Sequence, residues 1–186
     1  MLRSRVKLTI AVAVLGVGGF TAAAVAGGGK DFETDLNGFE EVPSVSTVAG
    51  AEMRAKVNRA GTELRYRLAY RDLEGAVQQS HIHLGQEGVN GGIVVFLCSN
   101  LGNGPAGTPP CPPAPATVTG TLDASDVSTA PAPTSNAAIA QGIAAGEFAE
   151  LIRAMRAGVT YANVHSTKFP GGEVRGQLDK EHDHDR

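Results

Sequence analysis

The chain has 186 residues, 42% of them hydrophobic and 19% charged, with a formal net charge of −3. That balance excludes a disordered tail and a polytopic membrane protein, and it supplies no basic excess for a nucleic-acid surface. Aromatics are scarce at 5%, Trp is absent, and 24 glycines imply many tight turns rather than aromatic binding platforms.

Residues 1–26 read as an export signal. Arg3, Arg5 and Lys7 precede an apolar run from Leu8, and Ala24-Val25-Ala26 supplies the small residues of a cleavage site after Ala26. The alternative is an uncleaved anchor, because Leu8 to Ala26 is just long enough to span a bilayer. The membrane is thus a partner only if that segment is retained. The expected location is the cell envelope, periplasm or exterior, and the remaining chain carries 13 Lys and Arg against 19 Asp and Glu.

Next come short strands. Phe32–Phe39 is a candidate, and Ala51–Val57 and Thr62–Arg71 form a hairpin turning at Asn58–Gly61. In the second arm Leu64, Tyr66, Leu68 and Tyr70 alternate with Arg65, Arg67 and Arg71, the signature of one wet face. Gln78–Leu84 and Ile93–Cys98 flank a glycine-rich turn, and Thr117–Leu122 follows. Cys98 and Cys111 are the only cysteines, and their spacing in an exported chain predicts a disulfide rather than a metal-thiolate pair. Eight of the ten prolines lie between Pro105 and Pro133, so 102–116 and 128–135 read as long surface connections. Phe148, Leu151, Ile152 and Met155 then recur at helical spacing with Gly158 as a stop, a short helix near 147–157 that caps one end. Val159–His165 and Glu173–Leu178 close the fold. The sum is an all-β, antiparallel β-sandwich, Greek-key and immunoglobulin-like or superoxide-dismutase-like. The tail, 180–186, is too charged to pack, and its His182 and His184 make no defined site.

Two hairpins look alike. His83 leads through a short loop to Gly91-Gly92-Ile93-Val94, and His165 leads to Gly171-Gly172-Glu173-Val174. If the two are neighbours, their histidines share one level of the fold. His81 and His83 are two apart on a strand and share a face, with Ile82 and Leu84 pointing to the core. With His165 they make a three-imidazole set that suits zinc or copper, Glu173 being a candidate fourth ligand. Asn163 shares the face of His165 and is placed to hydrogen-bond it, and Glu173 and Arg175 share a face, placed to form an ion pair with each other or, for Arg175, with a carboxylate on another strand. The competing reading is structural: histidines at strand ends pin loops by hydrogen bonds to backbone carbonyls. No phosphate-cradling loop, nucleophile elbow or H-E-x-x-H helix is present, so no catalytic residue and no enzyme is assigned.

Ser80-His81-Ile82-His83-Leu84-Gly85 with Asn90-Gly91-Gly92-Ile93-Val94 resembles the first signature of the CHRD, or chordin-like, domain family. Ala162-Asn163-Val164-His165-Ser166 with Pro170 to Leu178 is similar to its closing signature, and Leu36-Asn37-Gly38 with Glu41-Val42-Pro43 to its opening. The resemblance implies a single CHRD domain over 27–179, carrying a Pro-rich insertion at 102–116. It also implies a secreted, non-enzymatic module that binds or supports an extracytoplasmic ligand or protein. At the level of fold analogy alone, the H-x-H strand resembles those of copper-zinc superoxide dismutase, but no bridging histidine and too few ligands for two metals are present. A metal-binding protein using His81, His83 and His165 is the alternative. A metal-dependent redox enzyme at the same pocket is the third reading.

Overall fold

A computed structural model describes residues 31–127 and 136–180. The expected signal segment, the 128–135 connection and the tail beyond Lys180, with His182 and His184, lie outside the described residues.

Among the described residues there are nine strands: β1 Asp31–Asn37, β2 Gly50–Val57, β3 Leu64–Arg71, β4 Val77–Leu84, β5 Gly92–Ser99, β6 Ala116–Leu122, β7 Thr160–Ser166, β8 Val174–Gln177 and β9 Asp179–Lys180. All pair antiparallel, as the alternating sequence pattern requires. They form one hydrogen-bonded sheet in the order β5-β4-β7-β8-β1-β2-β3-β6, with β9 beside β1. The all-β body is thus a continuous sheet curled almost into a barrel. The two ends of the sheet are drawn together on the inside, where the Tyr66 hydroxyl on β3, next to the edge strand β6, donates to the Leu97 carbonyl on the edge strand β5 at 2.5 Å. Cys98 on β5 is bonded to Cys111, which precedes β6.

Inside the curl lies the apolar core, including Met53, Leu64, Leu68, Ile82, Leu97, Val164 and Leu178. Between β6 and β7 the described residues form two α-helices. α1 (Asn136–Ala140) was not foreseen, because its alanines merge with the Pro- and Ser-rich stretch before it. α2 (Phe148–Arg156) is the expected helix, and Phe148, Leu151, Ile152 and Met155 are all buried in the core. None of the described helices is long and apolar enough to cross a membrane.

The two look-alike hairpins are neighbours: β4 pairs with both β5 and β7, and β7 with β8. Directly opposite residues share a face of the sheet. One such row runs His81–Asn163–Arg175–Asn37–Gly50–Arg71 across β4, β7, β8, β1, β2 and β3. The adjacent row holds Ile82 and Ala162 on the core side. The histidine row therefore belongs to the outer face. At the Arg71 end that face is wet, and β3 alternates buried and exposed. At the His81 end it is covered, and β7 is buried at all seven positions. Three connections do the covering: 38–49, 85–91 and 167–173. Arg175 holds the second through the Gln86 and Val89 carbonyls, and Asn90 ties it to the first through the Val42 carbonyl. The result is a second, polar core outside the sheet.

Candidate metal centre in the covered polar layer

His81, His83 and His165 meet in this layer, at 0%, 7% and 6% exposure. One ligand atom from each ring lies within 4.8 Å of the others. His81 and His83 stand on β4, brought to one face by the period of two, and His165 comes from β7, where it pairs with Gln79. His81 Nδ1 is 3.2 Å from His165 Nε2. That is close to the separation of about 3.3 Å expected for two imidazoles on one tetrahedral metal with bonds of about 2.0–2.1 Å.

Hydrogen bonds fix two of the rings. His83 Nδ1 is 2.9 Å from the Gly91 carbonyl, and His165 Nδ1 is 2.9 Å from the Pro170 carbonyl. A carbonyl only accepts, so both Nδ1 atoms carry hydrogen and, in the neutral rings, both Nε2 atoms present lone pairs. Gly91 can bring its carbonyl to His83 because it has no side chain: a Cβ there would lie 1.6 Å from the Leu84 carbonyl oxygen. His83 Nε2 faces Asn163 Oδ1 at 3.1 Å, two acceptors opposed unless the amide turns or a cation lies near them. His81 Nε2 is buried with no hydrogen-bond partner.

Burial holds all three imidazoles below their usual pKa. His81 lies well below it, through burial first and then the proximity of His165 and His83. His83 is lowered to about 4, chiefly by burial, and His165 is lowered by the same cause. At neutral pH the cluster is uncharged, the form in which imidazole binds metals.

The surroundings are aromatic and ionic. Phe96 meets His81 edge-on, with centroids 4.4 Å apart. Tyr161 stacks on His83 at 4.6 Å, and the Arg175 guanidinium lies 3.4 Å from the Tyr161 ring centroid on β7. Glu41 is buried beside Asn163 with Oε1 unpartnered, and burial raises its pKa to about 7 against the pull of Arg175. Neither Tyr161 nor Phe96 was singled out from sequence, since an aromatic on a strand reads as ordinary core. Glu41 stands in sequence only as part of the opening motif Glu41-Val42-Pro43.

Three expectations require correction. Asn163 faces His83 rather than His165, because the β4–β7 register sets it opposite His81, next to the His83 ring. Glu173 does not join the imidazoles: its Oε1 accepts from the Thr47 hydroxyl and the Glu74 N–H, anchoring two loops. Arg175 forms no ion pair with Glu173. Its guanidinium is spent on Gln86, Val89 and Asn90, because the 85–91 loop folds over it. The Cys98–Cys111 disulfide is present.

Surface clefts of about 740, 410 and 340 Å³ are lined by residues other than these histidines. The smallest reaches the polar layer at Glu41 and Arg175. A buried cluster of neutral donors, braced by backbone carbonyls, is suited to holding an ion and ill placed to receive a diffusing organic substrate.

Comparison with curated proteins and with solved structures finds no match. The CHRD domain profile matches residues 32–178, from β1 to the residue after β8. With the three signature segments meeting in one layer, the chain belongs to the CHRD domain family.

Proposed function

We propose that this chain is an exported, non-enzymatic CHRD module that holds one transition-metal ion, zinc or copper, on His81, His83 and His165. The observation that carries the reading is the division of labour within the rings. His83 and His165 spend their Nδ1 hydrogens on the Gly91 and Pro170 carbonyls, which leaves Nε2 lone pairs facing a shared space. Metal-binding histidines are oriented by such outer hydrogen bonds. The opposed acceptors of His83 and Asn163 are further polar groups that the protein alone leaves unsatisfied. Export is supported by the disulfide and by the basic-then-apolar start of the chain.

A second reading rests on the same bonds: the histidines are scaffold, pinning the ends of two hairpins. Elemental analysis of the untagged full chain separates the two. The metal reading expects about one equivalent of zinc or copper, lost on combined His81, His83 and His165→Ala substitution and kept when His182 and His184 are replaced by Gln. If the triple variant does not fold, the single His81→Gln variant is used, with circular dichroism to verify folding. A folded, metal-free preparation that takes up neither metal near neutral pH leaves the scaffold reading.

A further inference from the structure

The geometry points to a site that prefers monovalent copper to zinc or divalent copper, an inference that rests on the metal reading above. Charge favours the monovalent ion. All three donors are neutral imidazoles, and no carboxylate or thiolate among the described residues joins the cluster. The rings are almost wholly out of water. The work of moving an ion into such surroundings grows with the square of its charge, so a divalent ion meets about four times the penalty of a monovalent one.

Among the described residues no carboxylate touches the imidazoles to offset the difference. The fixed charge behind His83 is positive, Arg175 stacked on Tyr161, which is stacked on His83. Glu173 Oε1 accepts from the Thr47 hydroxyl and the Glu74 N–H, its Oε2 is buried without a hydrogen-bond partner, and the carboxylate does not join the imidazole cluster. Glu41 rests against Gly172 with Oε1 unpartnered, rather than bonding an imidazole. The further oxygen nearest the rings, Asn163 Oδ1, is a neutral amide and adds no negative charge.

Coordination number favours it too. Zinc takes four ligands, and where the protein supplies three the fourth is water or substrate. Here the rings are almost wholly out of water, and the further oxygen beside them is the neutral Asn163 amide, 3.1 Å from His83 Nε2. Monovalent copper, with a filled d shell, is satisfied by three nitrogens and needs no water.

The test uses the full chain, stripped of metal. Under anaerobic conditions Cu(I), supplied as its acetonitrile complex, is titrated against the chromophoric chelator bicinchoninate. Zn(II)-loaded and Cu(II)-loaded samples are challenged with equimolar Cu(I) in parallel. The expected result is that one equivalent of Cu(I) is withdrawn from the chelator and displaces the divalent ions. Uptake is lost in His81→Gln, with folding checked by circular dichroism, and kept when His182 and His184 are Gln. Zinc or divalent copper retained against equimolar Cu(I) overturns the preference and leaves the metal reading standing. A folded chain that binds none of the three ions overturns both.

Discussion

Glu41 Oε1 occupies the space a side chain at Gly172 would need: a Cβ there would lie 2.2 Å from it. Gly172 also holds a φ of 131°, a conformation that favours glycine. Two segments far apart in sequence, the one after β1 and the turn before β8, are thereby interlocked over the histidines.

Replacing Gly172 with Ala is therefore expected to destabilise the fold by about 2–4 kcal/mol, from backbone strain and overpacking together. Glu41→Ala removes the clash but not the strain. The double variant should fall short of the sum of the single losses, and urea unfolding of all four proteins measures the coupling.

The same carboxyl gives a pH dependence. Glu41 has a folded pKa of about 7, above its ordinary 4.5, so the folded state holds its proton more tightly than the unfolded chain. Its contribution is most favourable at low pH and declines as pH rises from about 4.5 to 7, by on the order of 3 kcal/mol in all. His83 runs the opposite way: with a folded pKa of about 4 against 6.5, it costs stability as pH falls through that interval. Glu41→Gln should remove the loss on the neutral side and keep the loss on the acid side. Denaturation curves of the metal-free protein at pH 4, 5.5 and 7.5 read both.

Arg175 is predicted to organise the covering layer. Arg175→Met removes hydrogen bonds to the Gln86 and Val89 carbonyls and the contact with Tyr161. A loss of about 2–4 kcal/mol is expected, with faster amide exchange in 85–91. Arg175→Lys should restore only part of it, because an ammonium cannot reproduce the planar fork.

Reduction of Cys98–Cys111 opens a loop of sequence separation 13 and is expected to cost about 3 kcal/mol. The effect should appear in the unfolding midpoint and not in metal content, since Cys98 and Cys111 belong to the apolar core, on the face of the sheet opposite the histidines.

Much of the strand pattern could be read from period-two alternation, and so could the pairing of His81 with His83. The likeness of the two glycine-glycine hairpins brought His165 to them, and the β4–β7 register bears that out. Alternation could not reveal that the outer face is wet at Arg71 and dry at His81, because the cover comes from loops whose docking is tertiary. For that reason nothing in the strand pattern marks Glu41, Tyr161 and Phe96 as neighbours of the histidines, and a shared face suggests ion pairs for Glu173 and Arg175 where each in fact holds a loop. A strand pattern also does not say whether strands divide into two sheets or continue as one. That depends on the order β8-β1, formed between opposite ends of the described chain.

The most direct test of the three-imidazole site is an anomalous-difference map at the metal edge, from crystals of the loaded full chain. The account predicts one strong peak within about 2.0–2.2 Å of His83 Nε2, His165 Nε2 and a nitrogen of His81. A peak elsewhere, or an unoccupied cluster beside a metal bound at His182 and His184, would contradict it.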